Sequence, residues 1–153
     1  MQFTTLLLST LLTTTTTLAA PTPATASKSA VADVPQWTLE AFQRVCDAAD
    51  TSCTWSFTIN THLAGAASTP CSFVVKAGAK PASHTDSAGN ACGKYTVGSG
   101  WSDQFGPENG FTTLSLVDNE QKLITWPSYT DKALAGGAPV TPDLSWPPTQ
   151  LTF

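Results

Sequence analysis

Four cysteines, Cys46, Cys53, Cys71 and Cys92, constrain this 153-residue chain more than any other feature. They are even in number, and they follow an amino-terminal run, MQFTTLLLSTLLTTTTTLAA, that has Leu6-Leu7-Leu8 and Leu11-Leu12 as its apolar part and no charged residue before Lys28. Such a run, ending in small residues, is the pattern of a secretory leader. It is too short and too Thr-rich to span a bilayer. Residues 1–19 are read as the signal peptide, because a cut after Ala20 would place Pro21 beside the scissile bond. In an oxidising compartment two disulfides are the default use of four cysteines. Sequence alone leaves three connectivities open, and spacing favours one. Cys46 and Cys53 bracket the polar run DAADTS, which reads as a hairpin turn, and a cross-strand pair closing such a turn lies within disulfide reach. Cys71 would then join Cys92, with a loop-closure stabilisation of about 3 kcal/mol.

Residues 20–35, APTPATASKSAVADVP, carry almost no large side chain and read as a flexible Ala/Pro/Thr/Ser-rich linker. Residues 36–153 are left for a single β domain, enough to bury roughly two-thirds of its unfolded surface. Seven Lys plus Arg against eleven Asp plus Glu give a net charge of -4. That balance excludes an electrostatic nucleic-acid binder and a polybasic membrane-surface protein. Beyond the leader no stretch is apolar enough to insert into a membrane.

The pattern of the domain is all-β. Residues 53-CTWSFTIN-60 alternate, with Cys53, Trp55, Phe57 and Ile59 on one side. Residues 71–77 and 92–101 read as further strands, and 111–126 as a hairpin turning at Asp118-Asn119. Before Cys46, Trp37 and Leu39 fit a strand while Leu39, Phe42 and Val45 fit a helical spacing. A bulged strand reconciles them, since Cys46 must meet Cys53. The Pro-rich end, residues 139–153, is expected to run extended over the domain surface with Trp146 as its anchor, because Pro cannot occupy a central strand. Short strands between Gly and Pro turns predict a small disulfide-stapled β-sandwich or β-barrel.

Candidate chemistry is sparse. The run 98-GSGWS-102 does not match the Gly-x-Ser-x-Gly nucleophile elbow. His62 and His84 read as surface-loop histidines without metal-ligand spacing, so no metal and no cofactor are expected. An oxidative copper enzyme of the secreted kind would need His as its first mature residue, where this chain has Ala20. Asp103, Glu108 and Asp131 are the only carboxylates placed to serve as a glycosidase pair, and turn formation is the favoured explanation of them. A carbohydrate-binding surface asks only for exposed rings and a few polar groups, which Trp101, Trp126, Tyr129 and Trp146 could supply if they are not core. No residue is assigned as catalytic. The candidate partner-binding residues are Trp101, Asp103, Phe105, Trp126 and Tyr129.

The most distinctive segment is 99-SGWSDQFGPENGFTTLSLVD-118. With 92-CGKY-95, 124-ITWPSYTDK-132 and the Cys46/Cys53 spacing leading into CTWSF, it resembles the small secreted hypersensitive-response-inducing proteins of ascomycete plant pathogens, most of all those of the rice blast fungus. The resemblance extends over the whole chain. It implies an apoplastic effector that favours infection yet elicits cell death and defence responses, acting without catalysis on a host plant surface protein or a wall polysaccharide. It carries over no catalytic residue and names no receptor. The competing readings are a cell-wall carbohydrate-binding module and a small secreted glycosidase. Amino-terminal sequencing of the protein from culture filtrate should begin at Ala20; material that still begins at Met1 would refute the leader.

Overall fold

A computed structural model describes residues 34–152. The predicted signal peptide, and all but the last two residues of the predicted linker, lie outside the described residues. Ten strands follow in order: β1 Trp37–Cys46, β2 Ser52–Asn60, β3 Thr69–Lys76, β4 Ser87–Cys92, β5 Tyr95–Ser102, β6 Phe111–Asp118, β7 Leu123–Thr125, β8 Ser128–Thr130, β9 Leu144–Trp146 and β10 Thr149–Gln150. The helical turns among the described residues are three short 3-10 pieces, Ala82–His84, Pro107–Asn109 and Ala135–Gly137. None is long and apolar enough to cross a membrane.

The strands form two antiparallel sheets, which settles the architecture as a sandwich rather than a barrel. One sheet has the order β3-β2-β1-β9, and the other β10-β7-β6-β5-β4 with β8 also beside β6. Between them lie Trp37, Leu39, Phe42, Trp55, Phe57 and Ile59 from the first sheet and Tyr95, Val97, Leu114, Leu116 and Tyr129 from the second. The alternation read over residues 53–60 is realised, with Cys53, Trp55, Phe57 and Ile59 all buried. Each buried aromatic removes roughly 150–250 Å² from water, worth several kcal/mol at about 25 cal/mol per Å².

The bulge in β1 is present. Glu40 pairs with Thr58 and Gln43 with Ser56, so Ala41 and Phe42 together face Phe57 alone. Ala41 takes a left-handed backbone with φ 51°, and its N–H donates to Asp143 Oδ1 at 2.8 Å. The extra residue turns Phe42 into the core three positions after Leu39, which is why the sequence mimics a helical spacing there. Val45 falls on the other parity and is exposed. Both disulfides pair as expected, Cys46 with Cys53 and Cys71 with Cys92. The first closes the β1–β2 hairpin; the second ties β3 of one sheet to β4 of the other.

Three expectations are corrected. Cys92 ends β4, a strand the sequence reading missed, and β5 begins only at Tyr95 after a turn in which Gly93 has φ 59°. The carboxyl-terminal segment does not simply drape over the surface. β9 pairs with β1, Trp37 facing Trp146, and β10 pairs with β7, Thr149 facing Ile124. Both are edge strands, the only places where the Pro-rich sequence can join a sheet. Trp146 is the anchor expected, its ring edge-on to Tyr129 at 5.3 Å between centroids. The hairpin after Phe111 turns over residues 119–122, and Asp118, 1% exposed, organises the turn.

Asp118 Oδ1 accepts from the backbone N–H groups of Glu120 and Gln121, both at 2.9 Å. Its Oδ2 meets the Lys94 ammonium at 2.8 Å. Burial pushes the Asp118 carboxyl up, but the Lys94 hydrogen bond and the two backbone donors reverse this and hold it below the ordinary value of 3.8. The pair therefore contributes fully above that ordinary value, and its contribution is lost as the pH falls through the lowered one. The same hydrogen bond holds Lys94 above its ordinary 10.5. Asp118→Asn should cost about 2–4 kcal/mol in urea unfolding at neutral pH, by leaving a partly buried ammonium without its partner. It should also flatten the loss of stability below pH ~4, measured as midpoint against pH.

Candidate functional site

The clamp around Trp101 begins at the β1–β2 turn. Asp47 Oδ1 accepts from the backbone N–H groups of Ala49 and Thr51, fixing the loop. Asp50 then reaches out of it: its carboxylate accepts from the backbone N–H of Ser83 at 2.9 Å and from the Ser83 hydroxyl, and its carbonyl accepts from Ala82 N–H at 2.8 Å. The turn Ala82–His84 is thereby docked, with Ala82 wholly buried beneath it. His84 comes to rest beside the end of β5.

There the His84 imidazole stacks on the Trp101 indole, centroids 3.9 Å apart and planes 16° apart. Trp101 Nε1 donates to Asp131 Oδ2 at 2.8 Å. Arg44, 7% exposed on β1, donates to Asp131 Oδ1 at 3.1 Å and to the carbonyl of Ser83 at 3.0 Å. The Lys80 ammonium lies 5.2 Å from the Trp101 ring centroid, and the Trp101 backbone N–H donates to Asp86 Oδ1 at 2.9 Å. Gly110 makes this arrangement possible. A Cβ there would fall on Asp131 Oδ2 and within 3.2 Å of the indole. Both sheets and two loops thus meet in one polar clamp around a half-buried tryptophan. Asp131 spends its oxygens on Arg44 and Trp101, while His84 Nε2 stands 3.7 Å from Oδ2, beyond hydrogen-bond length. The geometry is that of a ring held in place.

The other candidates lie elsewhere. Asp103 is exposed in the turn after β5, where its carbonyl accepts from Gly106 N–H at 2.8 Å. Phe105 is 67% exposed and stacks on Phe111 at 5.9 Å. Glu108 is exposed in the turn Pro107–Asn109. Trp126 is 52% exposed over the outer face of the second sheet. Tyr129 is a correction to the partner-binding set: it is buried, stacked face to face on Phe42 at 3.9 Å, and burial pushes its phenol far above the ordinary value. The candidate rings therefore divide between the interior and the outward face, and of the candidate carboxylates Asp131 alone is held in the clamp. Trp101 lies on the inward parity of β5, whereas Phe105 and Trp126 belong with the outward face. Arg44, Lys80 and Asp86 were not singled out in the sequence, and nothing in their local spacing marks them.

The one grouping of metal-donor side chains among the described residues is Cys46, Asp50 and Cys53. Its two sulfurs are joined to each other, and a disulfide has no thiolate to give a metal.

Residues 38–152 match the Effector TSP1 family. The chain belongs to that family. It is 50% identical over 151 residues to Effector TSP1 of Hypocrea virens, an alignment that covers 99% of each chain. The Effector TSP1 match supports the expected kinship with fungal effectors. It rests on the family model and a relative from Hypocrea virens, and it does not bear out the likeness to the rice blast proteins in particular. In this Effector TSP1 member the matched span takes in both sheets and both disulfides.

Asp131→Asn should cost on the order of 3 kcal/mol in urea unfolding, because it strips the charge partner from buried Arg44. Asp103→Asn, on an open turn, should stay within about 0.5 kcal/mol of the parent. Equal effects of the two substitutions would contradict the clamp.

Proposed function

We propose that this protein is a secreted effector of a plant-infecting fungus that works in the host apoplast. There it favours infection, and plant tissue that detects it responds with cell death and defence. It works through its folded surface, without catalysis. The observation that carries the reading is the match of residues 38–152 to the Effector TSP1 family. Two features of the site support it. The carboxylates that a glycosidase would require have other duties or none: Asp131 is held by Arg44 and Trp101, and Asp103 and Glu108 stand on exposed turns. The exposed rings of Phe105 and Trp126, by contrast, are the kind of anchor on which partner recognition concentrates its energy.

Infiltration of the purified protein into leaves, scored for necrosis and defence-gene induction, tests the proposal. Asp103→Asn and Glu108→Gln should each keep the response within about twofold, whereas loss of a general acid or base would lower it about a hundredfold or more. Protein reduced at both disulfides and alkylated should lose the response. A folded carboxylate variant that is inert in leaves would return the hydrolase reading.

A further inference from the structure

The outward face of β5 and β6 in the second sheet is small and uncharged. Every outward position of β5 and β6 is Ser, Thr, Gly, Val or Phe, with no charged side chain among them. Gly98 faces Ser115 and Gly100 faces Thr113 across the β5–β6 ladder. With no side chain at either glycine, the backbone forms the floor of an open groove of about 280 Å³. Trp126 lines one side of it and Ser87 with Ala88 the other. Gly98 is needed for that floor, since a Cβ there would lie 2.7 Å from Ser115 Oγ. One row further along β6, roughly 7 Å away, Phe111 carries the stacked ring of Phe105.

We propose that this groove binds a neutral β-linked glucan chain. An open indole offers its face to the C–H surface of a pyranose ring whose hydroxyls are all equatorial. The hydroxyls of Thr113 and Ser115, on the outward parity of β6, supply donors and acceptors at the ring edge. The volume is just below the roughly 300 Å³ at which drug-sized pockets begin; it suits single sugar rings in a chain that runs on toward Phe105 and Phe111. Charge selects among polysaccharides. The groove has no cation to pair with a uronate, its rim carries the Asp86 carboxylate 4.0 Å from the Cβ position of Gly100, and the whole chain has a net charge of -4. An anionic pectin is repelled; a neutral glucan is not. The inference rests on the reading of an extracellular effector and names the wall component it would hold.

Two substitutions separate binding from folding. Trp126→Ala removes a ring that is half in solvent. Gly100→Val fills the groove from a position whose new Cβ would meet nothing closer than Asp86 Oδ1 at 4.0 Å. Native gel electrophoresis of the purified protein through mixed-linkage β-glucan, laminarin or polygalacturonate is the test, with circular dichroism confirming the fold of each variant. The parent should be retarded by at least one of the neutral glucans and not by polygalacturonate, and both variants should bind at least about tenfold more weakly. No retardation of the parent, equal retardation by polygalacturonate, or undiminished retardation of both folded variants would overturn the proposal. So would sedimentation showing a dimer of the parent that Gly100→Val dissociates, for the groove would then be a self-interface. The assay contains no plant tissue. Its failure alongside an intact leaf response would remove the glucan and leave the effector reading standing, and the reverse result would do the opposite.

Discussion

The stack of Phe42 on Tyr129 holds this molecule together. The two rings lie parallel at 3.9 Å across the space between the sheets, and each is the centre of a further cluster. Phe42 also packs against Trp55 and Phe57 of its own sheet. Tyr129 takes the edge of Trp146 from the carboxyl-terminal segment. Phe42 can face inward only because β1 is bulged, and the bulge leaves the Ala41 N–H for Asp143 to satisfy. One aromatic contact thus requires the bulge, the closing tail and the short strand β8 at the same time. Truncating such a ring costs about 3–5 kcal/mol, a large share of the total stability of a domain of this size.

How much of this could be read from the sequence depends on where the information lies. Trp55, Phe57 and Ile59 announce β2 because a strand buried on one face imprints its period on the side chains. Leu39 and Phe42 announce the bulge, since the requirement that Cys46 meet Cys53 rules out a helix. β4 was illegible. Its sequence SAGNAC offers no large side chain to show a period, and its place is set by β5 and by the Cys71–Cys92 bond. Tyr129 and Trp126 could not be told apart, because a three-residue strand after Trp126-Pro127 is too short to show which ring turns inward. The Asp131 clamp was illegible for a different reason: Arg44 lies 87 residues away, and only the assembled sandwich brings the two together.

The fold therefore uses Trp101 and Trp126 in two ways that their sequence surroundings do not distinguish. Trp101 is gripped by Asp131, His84 and Gly110, so its ring has a fixed orientation and half its surface committed. Trp126 stands free above a floor of two glycines. Rings of the first kind give a surface its shape, and rings of the second kind are available to something else.

The pairing of β9 with β1 has a consequence for how the protein is made. β1 is the first strand of the described chain and β9 nearly the last, so Leu39 waits for Leu144 through almost all of synthesis. Until residues 144–146 have been made, β1 presents an unpaired edge and the Ala41 N–H has no acceptor from the tail. Contacts this distant in the chain form slowly. The sandwich is thus open along one side while the chain is being made, and it closes only when the Pro-rich segment arrives as a latch.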